Sequence, residues 1–142
     1  MHFGGSVLKE TYSYLNLASI HSISDKIDRS VEHLDLSGNN LSSIKGLESF
    51  GKLSTVNLSK NAIIQIDSLK NMKTLKSLNL SFNRLKAISS VFADSQVESL
   101  NISNNKITVL EGISSAKNLK SCNASCNQIS KINEHSIDND VS

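Results

Sequence analysis

The stretch LNLSFN, residues 78–83, has near copies in VNLSKN at 56–61 and LNISNN at 100–105. The same register continued in both directions gives segments starting at Val31, Leu53, Leu75, Val97 and Leu119, each step being 22 residues without an insertion. Within a segment the fourth position is Leu34, Val56, Leu78 or Leu100, and the sixth is Leu36, Leu58, Leu80 or Ile102. Side chains two apart on an extended chain point to the same side, so this alternation predicts a short strand with one buried face. Aliphatic residues return at the eleventh position (Leu41, Ile63, Leu85, Ile107, Ile129) and at the fourteenth (Ile44, Ile66, Ile88, Leu110, Ile132). A unit this short cannot bury so many aliphatic side chains alone, but stacked copies can share one continuous core.

The ninth position is asparagine throughout: Asn39, Asn61, Asn83, Asn105 and Asn127. It falls where each strand turns towards the core. A primary amide both donates and accepts, so it can pair the backbone groups that such a turn leaves open. Repeated at the strand spacing of about 4.8 Å, these residues are expected to form a ladder between coils.

The pattern LxxLxLxxNxL, with further aliphatics three and six residues on, resembles the leucine-rich repeats over about residues 12–137. The 22-residue unit and IKGLESFGKL at 44–53 resemble the subfamily typified by the protein phosphatase-1 regulatory subunit, which dynein light chains and centrosomal scaffolds share. Internalin-type repeats have the same length but carry a proline after the turn, and this chain has no proline. The resemblance implies an α/β repeat fold, a right-handed leucine-rich-repeat solenoid with a concave parallel sheet and short 3₁₀ or extended segments on the convex side. It also implies a protein partner such as a phosphatase, a motor, or a spindle-pole or ciliary component. The implied location is cytoplasmic, in association with the cytoskeleton or centrosome.

Residues 1–30 read as an N-terminal cap and an irregular first repeat, 31–137 as the repeats, and 138–142 as a polar tail. In the first repeat, Leu15 and Leu17 match the paired aliphatics. That register places Tyr14 in the third column, Asn16 in the fifth and Ala18 in the seventh. The fifth repeat weakens: Cys122 and Ala124 stand in its fourth and sixth positions, and His135 where Leu47, Leu69, Val91 and Ile113 stood. An apolar end without a cap invites association. The expectation is a piece of a longer protein; a tail folded over the end and two copies meeting there are the alternatives.

Net charge is +2, from 15 basic and 13 acidic residues, with no basic run, which argues against binding nucleic acid or membrane by charge alone. Two cysteines and four histidines show no metal-ligand spacing, so neither a metal nor a cofactor is expected. No GxSxG elbow and no glycine-rich phosphate loop is present, so an enzyme is not expected either. Asn40, Asn57, Asn79, Asn101 and Asn123 head N-x-S triplets, four of them on the expected concave sheet. Glycans there would obstruct that surface, which disfavours a glycosylating secretory route.

The expected function is protein binding through the concave sheet and its rim. The uniform fifth column (Asp35, Asn57, Asn79, Asn101, Asn123) and the seventh-column serines read as a polar sheet bonded to itself. Discrimination is expected from the columns that vary. These are the third (Tyr14, His33), the second (Glu32, Lys76, Glu98, Lys120) and the eighth (Gly38, Lys60, Phe82, Asn104, Cys126). Phe82 is either a docking anchor or a cover over its own asparagine turn. Lys60, Lys76 and Lys120 are either solvated charges or contacts to an acidic partner. A structural module that uses the C-terminal end for self-association or for packing on other domains is the alternative function.

Overall fold

The computed structural model describes residues 6–88, 90–92, 94–113 and 116–132. Six three-residue strands, β1 (Lys9–Thr11), β2 (His33–Asp35), β3 (Thr55–Asn57), β4 (Ser77–Asn79), β6 (Ser99–Asn101) and β8 (Ser121–Asn123), form one sheet in that order. All its pairs are parallel. Three two-residue strands, β5 (Ala87–Ile88), β7 (Val109–Leu110) and β9 (Lys131–Ile132), form a second parallel sheet at the thirteenth and fourteenth positions. The return path is short 3₁₀ turns, at Ile20–Ser22, Leu47–Ser49, Asp67–Asn71 and Ser90–Phe92.

Each three-residue strand is as short as its pattern requires. The central residue faces inward and is fully buried in Leu34, Val56, Leu78 and Leu100, while its two neighbours lie on the outer face. The aliphatics of the sixth and eleventh positions, and of the fourteenth as far as Leu110, join it in one cluster, and Phe50, Met72 and Phe92 close that cluster from the return path. Burying a side chain such as Leu80 contributes roughly 1.5–3 kcal/mol, so the stacked columns carry most of the stability.

The ninth-column asparagines form the expected ladder. Asn83 Nδ2 donates to the carbonyls of Leu80 and Ser81 in its own coil and of Leu58 in the coil before, at 2.9–3.2 Å. Its Oδ1 accepts the N–H of Ile63 at 2.9 Å. Asn61, Asn105 and Asn127 repeat the arrangement, and no buried side-chain polar atom is left without a partner among the described residues.

The first coil departs from the expected register. Lys9 pairs with His33, whereas His33 pairs with Thr55 and Thr55 with Ser77, so the first coil is two residues longer than the others. Leu15 and Leu17 are therefore not the paired aliphatics. Glu10 and Tyr12 occupy those positions, Leu15 is exposed, and Leu17 packs in the eleventh column. Asn16 and Ala18 likewise leave the fifth and seventh columns. Among the described residues no coil packs on the outer side of this one, and two polar side chains stand at its core positions. The Tyr12 hydroxyl donates to Glu10 Oε1 at 2.7 Å and approaches the Lys26 carbonyl at 3.1 Å, while Glu10 Oε2 accepts the Asp28 N–H at 2.9 Å. Together they lay a polar lid on the apolar stack.

His135 and the tail, whose folding over the far end is one of the alternatives above, lie outside the described residues.

Candidate functional site

The outer face of the six-stranded sheet carries His33 and Asp35 on β2, Asn57 on β3, Asn79 on β4 and Asn101 on β6, all half-buried in register. Glu32, Lys76, Glu98 and Lys120 precede the strands along one edge. Among the described residues Glu98 and Lys120 make the only ion pair, at 3.1 Å, and Lys76 is exposed. Ion pairs at such exposure are worth about 0–1 kcal/mol, so this one orients charge more than it stabilises.

The seventh column differs from its expected place on the open face. Ser37, Ser59, Ser81 and Ser103 are buried. The fifth column bonds to them: Asn79 Oδ1 accepts both the backbone N–H of Ser81, at 2.9 Å, and its hydroxyl, at 2.7 Å. Ser125 makes the same two bonds in the last coil and is exposed, so it is the neighbouring coil that buries the earlier serines. The expected self-bonding is present, but as far as Ser103 only the third and fifth columns of the strands reach solvent, and Ser125 is exposed.

On the opposite edge the chain turns through a left-handed residue at every eighth position. Tyr14, Gly38, Lys60, Phe82, Asn104 and Cys126 have φ of 55°, 70°, 57°, 56°, 55° and 56°. Tyr14 thus belongs to this rim and not to the third column. Its ring lies over Gly38, where an added Cβ would come within 2.3 Å of Tyr14 Cε1, and its hydroxyl lies 3.5 Å from Lys60 Nζ. Glycine is needed at 38 for this close approach, since the other rim residues adopt the same positive φ with a side chain. Phe82 is 52% exposed and Tyr14 66%. The sequence signal for Tyr14 was available in its spacing to Gly38, but Leu15 and Leu17 offered a more familiar match.

The two thiols face opposite ways, Cys122 into the core and Cys126 outward, because the strand ends before the left-handed turn at Cys126. Burial pushes the Cys122 thiol up to about 11. The bond to Glu10, then burial, then the charge of Glu10 push the Tyr12 phenol up to about 12. No group of three or more His, Cys, Asp or Glu side chains among the described residues could hold a metal ion. No helix among them is long and apolar enough to cross a membrane.

Comparison with known proteins bears on the repeat. A profile for Leucine Rich repeats (2 copies) matches residues 29–71, and single Leucine Rich repeat profiles match 71–87 and 96–116. Curated proteins give no match. Among solved structures, the chain is similar to the leucine-rich repeat domain of APL1B, with 23% identity over 75% of the chain and a TM-score of 0.56. A second structure of an APL1 leucine-rich repeat domain shares 22% identity over 79% of the chain, with a TM-score of 0.53. An internalin (inlF) from Listeria monocytogenes shares 16% identity over 91% of the chain, with a TM-score of 0.52. The chain spans 38%, 41% and 54% of the length of these three structures, and at these identities the likeness is one of fold. The profiles fall on coils whose strands, asparagine ladder and 3₁₀ returns repeat in step, and the chain belongs to the leucine-rich-repeat proteins.

Proposed function

We propose that the chain is a non-enzymatic interaction module that holds a protein partner on its sheet face and on the rim of Tyr14, Lys60 and Phe82. Phe82 carries this reading. A left-handed backbone costs a side chain with a Cβ roughly 1–2 kcal/mol, and glycine or asparagine bears it best. Gly38 and Asn104 meet that preference in the same column, whereas Phe82 combines the strain with an exposed ring. Neither feature helps the folded state, and exposed aromatics anchor many interfaces. Binding to a sheet already formed loses little ordering entropy.

The unbroken 22-residue step and the lack of proline support the finer resemblance to the phosphatase-regulator subfamily. A phosphatase, motor, spindle-pole or ciliary partner in the cytoplasm is consistent with that resemblance. The test is site-specific photocrosslinking in cells, with the probe at Ser77 on the sheet or at Lys70 on the return path. A protein adduct is expected from position 77 only, and it should disappear with Phe82→Asn or with Lys60→Glu/Lys76→Glu. Equal adducts from both positions, or adducts indifferent to these variants, would refute the proposal.

The second reading, association through the C-terminal end, rests on the small buried Cys122 and Ala124 beside the last strand of the sheet. Light scattering over a concentration series tests it, and a constant monomer mass removes it.

A further inference from the structure

We infer that the partner segment lying on the sheet is acidic, because the sheet presents a row of hydrogen-bond donors with few acceptors beside them. The inference rests on the sheet face being the partner surface. The row is Asn57, Asn79, Asn101 and Asn123, adjacent on four parallel strands. In each residue Oδ1 accepts the backbone N–H of the serine two positions on, at 2.9–3.0 Å. A backbone N–H can only donate, so the oxygen must face it and the amide cannot be turned the other way. In Asn79, Asn101 and Asn123 the same oxygen also takes the serine hydroxyl, at 2.7 Å. The NH₂ groups point away from these bonds and have no partner within the chain among the described residues.

The result is one NH₂ per strand at a spacing of about 4.8 Å. The hydroxyls of Ser77, Ser99 and Ser121 stand two residues earlier on the same strands. A recess of about 410 Å³ opens where Ser99, Asn101, Lys120, Ser121 and Asn123 meet. Charge favours the same occupant over β3 to β8, the strands of the asparagine row, whereas Glu32 and Asp35 make the β2 end acidic. Glu98 is matched by Lys120, whereas Lys60 and Lys76 make no ion pair among the described residues. Carboxylates supply the acceptors such a row lacks, in charge-assisted bonds. Phosphates would also accept, but the third and fifth columns of these coils hold no aromatic ring on which a base could stack, and the net charge is only +2. An acidic peptide therefore fits better than a nucleic acid.

Asp35 supplies the test. It stands in the same column, and its carboxylate accepts the Ser37 N–H at 2.9 Å, so the site tolerates an acid with the internal bond intact. Asn79→Asp/Asn101→Asp therefore exchanges the outward donors for acceptors and adds two negative charges, with the internal bond kept. A labelled decaglutamate peptide, titrated at low salt and followed by fluorescence anisotropy, should bind the wild-type chain more tightly than decalysine or oligothymidylate. The double variant should weaken decaglutamate about tenfold or more with an unchanged unfolding midpoint, and Asp35→Asn should strengthen it about threefold. Gln65→Glu/Asn71→Asp makes the same charge change off the sheet and should leave binding as it was. No decaglutamate binding, tighter binding of oligothymidylate, or indifference to the Asn79/Asn101 pair overturns the inference. If the Ser77 crosslink persists while decaglutamate fails, only the acidic character falls. If both fail, the sheet-face reading falls with it.

Discussion

Asn83 ties two coils together through its two amide hydrogens, shared among three carbonyls, and one accepted bond, all of them buried. Asn83→Ala leaves those backbone groups without partners, and a stability loss of about 3 kcal/mol or more is expected from urea denaturation. Phe82→Asn should do the reverse. It relieves a strained backbone, so stability should hold or rise by up to about 1 kcal/mol in the same measurement. A clear loss would mean that the ring serves the fold. Both residues stand in the phrase LNLSFN, and the sequence separated them only in part. The role of Asn83 was legible because an amide that recurs at a turn has one obvious use. The left-handed backbone under Phe82 was not, because Gly38, Lys60, Phe82 and Asn104 share no chemistry that would announce a common φ. The depth of the seventh-column serines was equally hidden, since a small polar residue carries no hydropathy signal for burial.

At the scale of the element, β1 and the chain around it show where pattern reading gave way. Paired aliphatics mark the register of the later coils, and the first coil has none at its paired positions. Glu10 and Tyr12 stand there, and the added length falls in the return path, which hydrophobic spacing does not record. The later strands were legible because both faces of each coil must meet a neighbour, which forces the aliphatic columns. The lid formed by Glu10 and Tyr12 has a titration signature. Since the Tyr12 phenol is raised from 10.0 to about 12, the folded state holds this proton more tightly than the unfolded chain. Its contribution to stability is full below pH 10.0 and is lost as pH rises from there towards about 12. Denaturation midpoints measured across that range should fall less steeply in Tyr12→Phe than in the wild-type chain.

For the whole molecule, stability is approximately a sum over coils and the contacts between them. Hydrogen exchange should therefore be graded: the amides of Leu58 and Leu80, bonded between central strands, should exchange more slowly than that of Ile102, bonded to β8. A uniform rate across the three would show that the stack opens as a single unit. The thiols report the same gradient chemically. A disulfide reagent at neutral pH should titrate Cys126 alone, and Cys122 only after denaturation, because the latter is buried with its thiol raised to about 11. The rim adds something of another kind. Six positions on one backbone geometry hold tyrosine, glycine, lysine, phenylalanine, asparagine and cysteine, and the columns that build the core are hardly disturbed by which residue is present. Mutation can thus rewrite the edge of the binding surface while the inherited scaffold stays fixed. Randomising Lys60, Phe82 and Asn104 together would give a library of surfaces on one fold, a small natural counterpart of a designed display scaffold.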